Sequence, residues 1–246
     1  MLPTHFRQMQ SQMSEPTIVA GWESTSPKEN SADPTAQEAA FRAVALRGKR
    51  IFDLLFTVLI SPLLAPFFLV IPLAIWWESG RPIFFRHRRL GKGGRIFGIW
   101  KFRSMINGAD KVLEQLLDND PSTKHEFARR FKLRGDPRIT VVGHFLRRTS
   151  LDELPQVWNV LKGEMSWVGP RPIVDEETSM YGPYLTMLLS VNPGVTGLWQ
   201  VSGRSDLSYN QRVKLDMQYI DRASLWLDLK LILRTIFAVI TQNGAL

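Results

Sequence analysis

The sequence predicts a helix-rich α+β protein held at a membrane by an N-terminal helix. Three observations predict it. Leu54 to Trp77 is an uncharged apolar run, residues 82–105 read as two alternating segments around a glycine turn, and much of the remainder repeats at helical spacing.

Residues 1–45 come first and have no sustained apolar period. They are rich in Ser, Thr, Glu and Pro, and read as a disordered polar tail. They are not a secretory signal, because no apolar core follows a basic start. Residues 46–80 then form a membrane-anchoring segment. The twenty-four residues Leu54–Trp77 would extend about 36 Å as a straight helix, against a bilayer core of about 30 Å. Pro62, Pro66 and Pro72 lie inside the run, so kinks are expected. Basic residues flank both sides: Arg47, Lys49 and Arg50 before, Arg81, Arg86, Arg88 and Arg89 after. Such flanks favour the cytoplasm. A re-entrant helix that enters and turns back satisfies both ends; an ordinary kinked span with one basic flank outside is the alternative.

Residues 81–246 read as a folded domain placed in the cytoplasm by its basic start. Ile83–Phe85 and Ile96–Phe102 flank Gly91-Lys92-Gly93-Gly94, the signature of a β-hairpin. Helices are expected over 109–118 and 122–132, on either side of Pro121. A third is expected over 150–162, with Ser150 and Glu153 as a capping box and Gly163 as its stop. Two more are expected over 208–222 and 225–240. The last is very apolar yet carries Asp228, Lys230 and Arg234, which suits packing on the core or lying at the membrane surface.

Charge narrows the function. The net charge is +8, but residues 1–45 hold three basic and five acidic residues, so everything after them sums to +10. A basic body implies an anionic partner such as phospholipid or a phosphorylated substrate. Nucleic acid is set aside because the apolar run does not suit it. The absence of cysteine excludes disulfide staples and thiolate metal sites. The four histidines are scattered, and neither a Walker loop nor a Gly-x-Ser-x-Gly elbow is present.

The stretch richest in chemistry is Arg147-Arg148-Thr149-Ser150-Leu151-Asp152-Glu153. An ionised Asp152 beside cationic donors can attack phosphorus, and Glu153 offers the hard oxygens that Mg²⁺ prefers. On its own an Asp-Glu pair more often just complements a helix dipole. Its neighbours change that weight. Pro170-Arg171-Pro172 fixes one guanidinium on a stiff loop, the glycine-punctuated stretch Pro193–Arg204 ends in another, and Lys101 and Arg103 lie near the hairpin.

Five blocks now stand in order: Lys49–Asp53, Lys101–Met105, Ser150–Gln156, Val168–Pro172 and Gly197–Arg204. From Lys49 to the C-terminus the chain resembles the bacterial sugar transferases, the monotopic polyprenyl-phosphate phosphoglycosyl transferases that prime exopolysaccharide and O-antigen synthesis. The resemblance implies a UDP-sugar and undecaprenyl phosphate as substrates, Asp152 as nucleophile and Glu153 as the Mg²⁺ ligand. It also implies phosphate or nucleotide binding by Lys49, Arg147, Arg171 and Arg204, interfacial helices, and seating on the cytoplasmic face of the inner membrane among its lipids. Galactose-1-phosphate is the favoured cargo and glucose-1-phosphate the next. The family bends its membrane helix at Ser-Pro; here the residues in register are Ala65-Pro66, and Ser61-Pro62 falls one turn earlier. The chain resembles the minimal catalytic form of the family, and a homo-oligomer is left open. The competing reading is a non-catalytic membrane scaffold for polysaccharide assembly.

Overall fold

A computed structural model describes residues 36–130, 133, 135–203 and 207–240, with side chains from Gly48 onward except at 126, 128–130 and 239–240. Residues 1–35 of the tail expected over 1–45, and the site residue Arg204, lie outside the described residues. The chain divides into two units, Met1–Arg42 and Ala43–Leu246. In the first, the described residues are the opening turns of a helix. The second holds the rest.

Helix α1 runs from Ala36 to Ser79. It starts ten residues ahead of the expected membrane segment, so 36–45 are helical, not a tail. Its Ala- and Glu-containing start has no helix breaker to stop it. The helical conformation continues through Pro62, Pro66 and Pro72. Ser61 donates to the Thr57 carbonyl at 2.6 Å. The carbonyl that Pro62 leaves free belongs to Val58, so Ser61 is not the compensating partner expected for a Ser-Pro bend.

Within α1, Gly48–Ser79 is long and apolar enough to cross a membrane. Asp53, Thr57, Ile60, Leu64, Phe68, Ile71 and Ile75 recur every third or fourth residue and are shielded by protein. The other faces leave Leu55, Leu59, Leu63, Leu69, Val70, Leu73 and Trp77 exposed.

Strands β1 (Phe84–Leu90) and β2 (Ile96–Phe102) form the expected antiparallel hairpin, Phe84 opposite Phe102. Helices α2 (Ala109–Asn119) and α3 (Pro121–Arg130) follow, meeting at Pro121 as read from the sequence. Then come α4 (Val141–Thr149), a 3₁₀ turn (Leu151–Gln156) and α5 (Val157–Lys162), closed by Gly163 in the left-handed region. The single helix expected over 150–162 is therefore two pieces. Strand β3 (Ser166–Val168) pairs in parallel with β4 (Gly194–Thr196), with the short helices α6 (Thr178–Tyr181) and α7 (Leu185–Leu188) between them. Helices α8 (Tyr209–Arg222) and α9 (Leu225–Ile240) end the described chain.

Among the described residues the core forms four small clusters. Ile71 and Ile75 of α1 meet Phe102 and Leu146 in one of them. Phe52 and Phe56, at the other end of the same helix, pack on Val168, Tyr219, Leu231 and Ile232. Polar ties repeat this arrangement. Lys49 donates to Asp228 of α9 at 2.5 Å and to the Tyr219 hydroxyl at 3.2 Å. Asp53 accepts from Ser166 and from the Trp167 amide. At the far end Arg103 donates to the carbonyls of Ser79 and Gly80, and Glu78 accepts from the amides of Val141 and Val142. Those amides are orphans of the first turn of α4, so Glu78 caps it. Helix α9 turns Asp228, Leu231 and Ile232 inward and leaves Leu225, Trp226, Leu229, Leu233, Ile236 and Phe237 exposed.

Candidate active site

Strand β2 sets the first wall of the site. Phe102 is anchored in the core, so Lys101 beside it projects from the opposite side of the strand. The second wall is the turn after α4. Ser150 is the one described non-glycine residue with positive φ, at 58°. A left-handed L-residue costs about 1–2 kcal/mol, and such strain gathers at functional sites. Here it ends α4, because the Ser150 amide bonds back to the Arg147 carbonyl. The chain then turns sharply into the 3₁₀ segment that carries Asp152 and Glu153. The capping box read from the sequence does not form. Ser150 makes no side-chain cap, and Glu153 is drawn across to Lys101.

Lys101 Nζ lies 2.6 Å from Glu153 Oε1 and 3.6 Å from Asp152 Oδ2. Asp152 is buried, at 8 % relative exposure. Burial pushes its carboxyl above the ordinary aspartate range; Lys101 and Arg147 oppose the rise and Glu153 adds to it. Burial would also raise Glu153, but Lys101 outweighs it, and Glu153 is held below its usual value with help from Arg171 and Gln156. The pair is thus split: Glu153 keeps its charge more readily than Asp152. Burial likewise opposes the Lys101 charge, yet the two carboxylates prevail and its pKa is raised.

Arg147 donates from Nε to Ser104 Oγ at 2.9 Å, which aims its guanidinium along the Asp152 side. That contact requires α4 to approach the Ser104 backbone closely. Gly143 makes this possible, since a Cβ there would collide with the Ser104 carbonyl. Arg171 sits in the Pro170–Pro172 loop, its Cζ 5.1 Å from the centre of the Trp199 ring. The loop is pressed against β4, where a side chain on Gly169 or Gly194 would strike the other's backbone.

The structure therefore brings Lys101, Arg147 and Arg171 around Asp152 and Glu153. It does not bring Lys49 or Arg103 there. Lys49 is bound to Asp228 and Tyr219, and Arg103 to the end of α1 and to Asn107. Sequence reasoning missed Arg89, which pairs with Glu177 at 3.5 Å and is lowered to about 10 by burial and by Arg171. It also missed Ser104, Gln156 and Trp199. All three stand inside the five sequence blocks, but nothing in the spacing marks them as site residues.

Among the described residues no cluster of three or more His, Cys, Asp or Glu could hold a metal. A carboxylate pair is nevertheless what Mg²⁺ uses when substrate phosphates and water complete its shell. Glu153, charged and with its side chain 36 % exposed, fits that role.

The family profile described as bacterial sugar transferase matches residues 44–242. The chain is 46 % identical over 197 residues to the UDP-galactose-lipid carrier transferase of Erwinia amylovora, covering 80 % of this chain and 41 % of that protein. It is 44 % identical over 200 residues to the undecaprenyl-phosphate galactose phosphotransferase of Salmonella typhimurium, again 80 % and 41 %. With the exopolysaccharide production protein ExoY of Rhizobium meliloti it shares 43 % identity over 209 residues, 85 % of this chain and 92 % of the relative. The chain thus spans about two fifths of the first two relatives and most of the third.

Proposed function

The chain belongs to the bacterial sugar transferase family, and on that premise we propose that it moves a hexose-1-phosphate from a UDP-sugar to undecaprenyl phosphate, a priming step of exopolysaccharide or O-antigen synthesis. Galactose-1-phosphate is the favoured cargo, with glucose-1-phosphate next. The observation that carries the reading is the convergence of one buried aspartate, one charged glutamate and three cations, with Lys101 touching both carboxylates. A non-catalytic scaffold has no use for that cluster.

In the first half-reaction an oxygen of ionised Asp152 attacks the β-phosphorus of the UDP-sugar. The bond from that phosphorus to the bridging oxygen breaks, and UMP leaves with the electron pair. Lys101 and Arg147 stabilise the Asp152 carboxylate before attack and the added phosphoryl charge during it. In the second, a phosphate oxygen of the lipid attacks the same phosphorus and Asp152 departs as carboxylate. Mg²⁺ held by Glu153 supplies neutralising charge to the diphosphate when bound.

The same reading places α1 as a re-entrant anchor on the cytoplasmic side. The start of its apolar segment is tied to Asp228 through Lys49, and its end to Arg103 and Val141, all in one body. A helix with its ends on opposite membrane faces cannot have both held by polar contacts to one water-facing body. Those ties support re-entry over a span. Single cysteines placed before Lys49 and after Gly80 should both resist an impermeant reagent added outside cells; labelling of either refutes re-entry.

For the chemistry, membranes or detergent-purified protein should release UMP from UDP-galactose and hold the labelled sugar phosphate on the chain. Asp152→Asn should lose both. A full-rate Asp152→Asn protein refutes the nucleophile.

A further inference from the structure

Helix α8 turns Tyr209, Arg212 and Asp216 to one side, at the i, i+3, i+7 spacing of a single face. Facing them are Trp199 and the Arg171 loop. The Arg212 Cζ lies 5.2 Å from the Trp199 ring centre and the Arg171 Cζ 5.1 Å from it. Two guanidinium groups thus share one indole and stand at most about 10 Å apart. Neither side chain makes an ion pair or hydrogen bond among the described residues, and the Nε of each is buried without a partner. Trp199 Nε1 and the Tyr209 hydroxyl are also buried and unpartnered.

The nearby carboxylates do not neutralise this pair. Glu177 is engaged by Arg89 and by the Val174 amide. Asp216 accepts from the Tyr181 hydroxyl at 2.8 Å and from the Arg171 amide, and its other oxygen has no partner. Against the one open oxygen of Asp216 stand four orphaned donors, two of them on the cations Arg171 and Arg212, and Arg171 lies beside Glu153 and Lys101, so the surface has an excess of donors and positive charge. A phosphate monoester is acceptor-only and doubly charged. A nucleobase offers donors as well, and matches the set less well.

We propose that Arg212 is a further substrate-positioning residue, which with Arg171 across Trp199 holds the phosphate of the nucleoside monophosphate that leaves. The inference rests on the transferase reading and gives the substrate a direction. The reacting phosphorus sits at Asp152, and the nucleotide's other phosphate extends past Arg171 toward α8.

The test uses the full chain in detergent and compares UMP, uridine and inorganic phosphate by calorimetry. Wild type should bind UMP better than uridine. Arg212→Gln should weaken UMP by about tenfold or more, with uridine unchanged, and Arg212→Lys should recover part of the loss. The KM for UDP-galactose should rise in Arg212→Gln, while transfer from the preformed enzyme adduct to lipid phosphate keeps its rate. Wild-type UMP affinity in a folded Arg212→Gln protein overturns the proposal. So does an equal loss for uridine and UMP, which marks Arg212 as a scaffold residue. A wild-type protein that forms the Asp152 adduct yet shows no preference for UMP over uridine overturns this inference alone. Absence of the adduct overturns the transferase reading.

Discussion

Asp216 offers a quantitative test of the buried polar cluster beneath the candidate nucleotide site. Its carboxyl has no solvent exposure. Burial raises it to about 7, against the opposing pull of Tyr181, the Arg171 amide and the two arginines. A carboxyl whose folded pKa is raised binds its proton more tightly when folded. Stability is therefore full below the unfolded value near 3.8 and falls as pH rises toward 7, where the loss levels off. Between pH 5 and 8 this group alone removes roughly 2–3 kcal/mol. For a domain of this size that is about 5–10 °C in melting temperature. Asp216→Asn keeps an oxygen for Tyr181 and cannot ionise. In detergent-solubilised protein scanned from pH 5 to 8, the wild-type curve should fall relative to the Asp216→Asn curve by that amount. Parallel curves would refute a neutral, buried Asp216.

Two further outcomes follow from other contacts. Lys101→Met removes the cation that opposes the rise of Asp152, so UMP release should drop by about a hundredfold or more and its acid limb should move to higher pH; an unchanged limb in the pH–rate profile would count against Lys101 as the controlling charge. Lys49→Met leaves the Asp228 carboxylate buried at 1 % exposure and should cost about 3–5 kcal/mol, read as a lower melting temperature that a Lys49→Met, Asp228→Leu double variant largely restores, with KM for UDP-galactose near wild type.

The pattern of helices was legible because it depends on local order. The hairpin, α8, α9 and the stop at Gly163 fall where periodicity and turn chemistry place them. What was not legible depends on distance or on backbone strain. No propensity marks Ser150 as left-handed; the sequence offers a capping box in its place, whereas in the structure Ser150 is left-handed and Glu153 bonds to Lys101. Phosphate binding by Lys49 comes from the resemblance, and Arg103 counts toward the site only as a basic group near the hairpin. Their partners lie 179 and 24 residues away, a separation that composition cannot bridge. Arg212 had no signal at all, because its meaning comes from an indole supplied by another loop.

The four residues Lys101 to Ser104 show how the membrane seat and the site are coupled. Lys101 reaches the two carboxylates, Phe102 packs on Ile71 and Ile75 of α1, Arg103 grips the end of that helix, and Ser104 orients Arg147. The four are consecutive, two ending β2 and two just after it, and even extended chain advances only about 3.3 Å per residue. The position of Lys101, and through its ion pairs that of Asp152 and Glu153, is therefore tied to the end of α1 by a short stretch of chain and by core packing. A lipid phosphate lies at a fixed depth at the bilayer edge, and a soluble sugar nucleotide comes from the water side. An enzyme that joins them needs its reacting atom at one depth. On the proposed function Arg103 would serve that need from outside the site: its bonds to Ser79 and Gly80 satisfy carbonyls that the last turn of α1 leaves open, and so fix the end of α1 to the strand that carries Lys101.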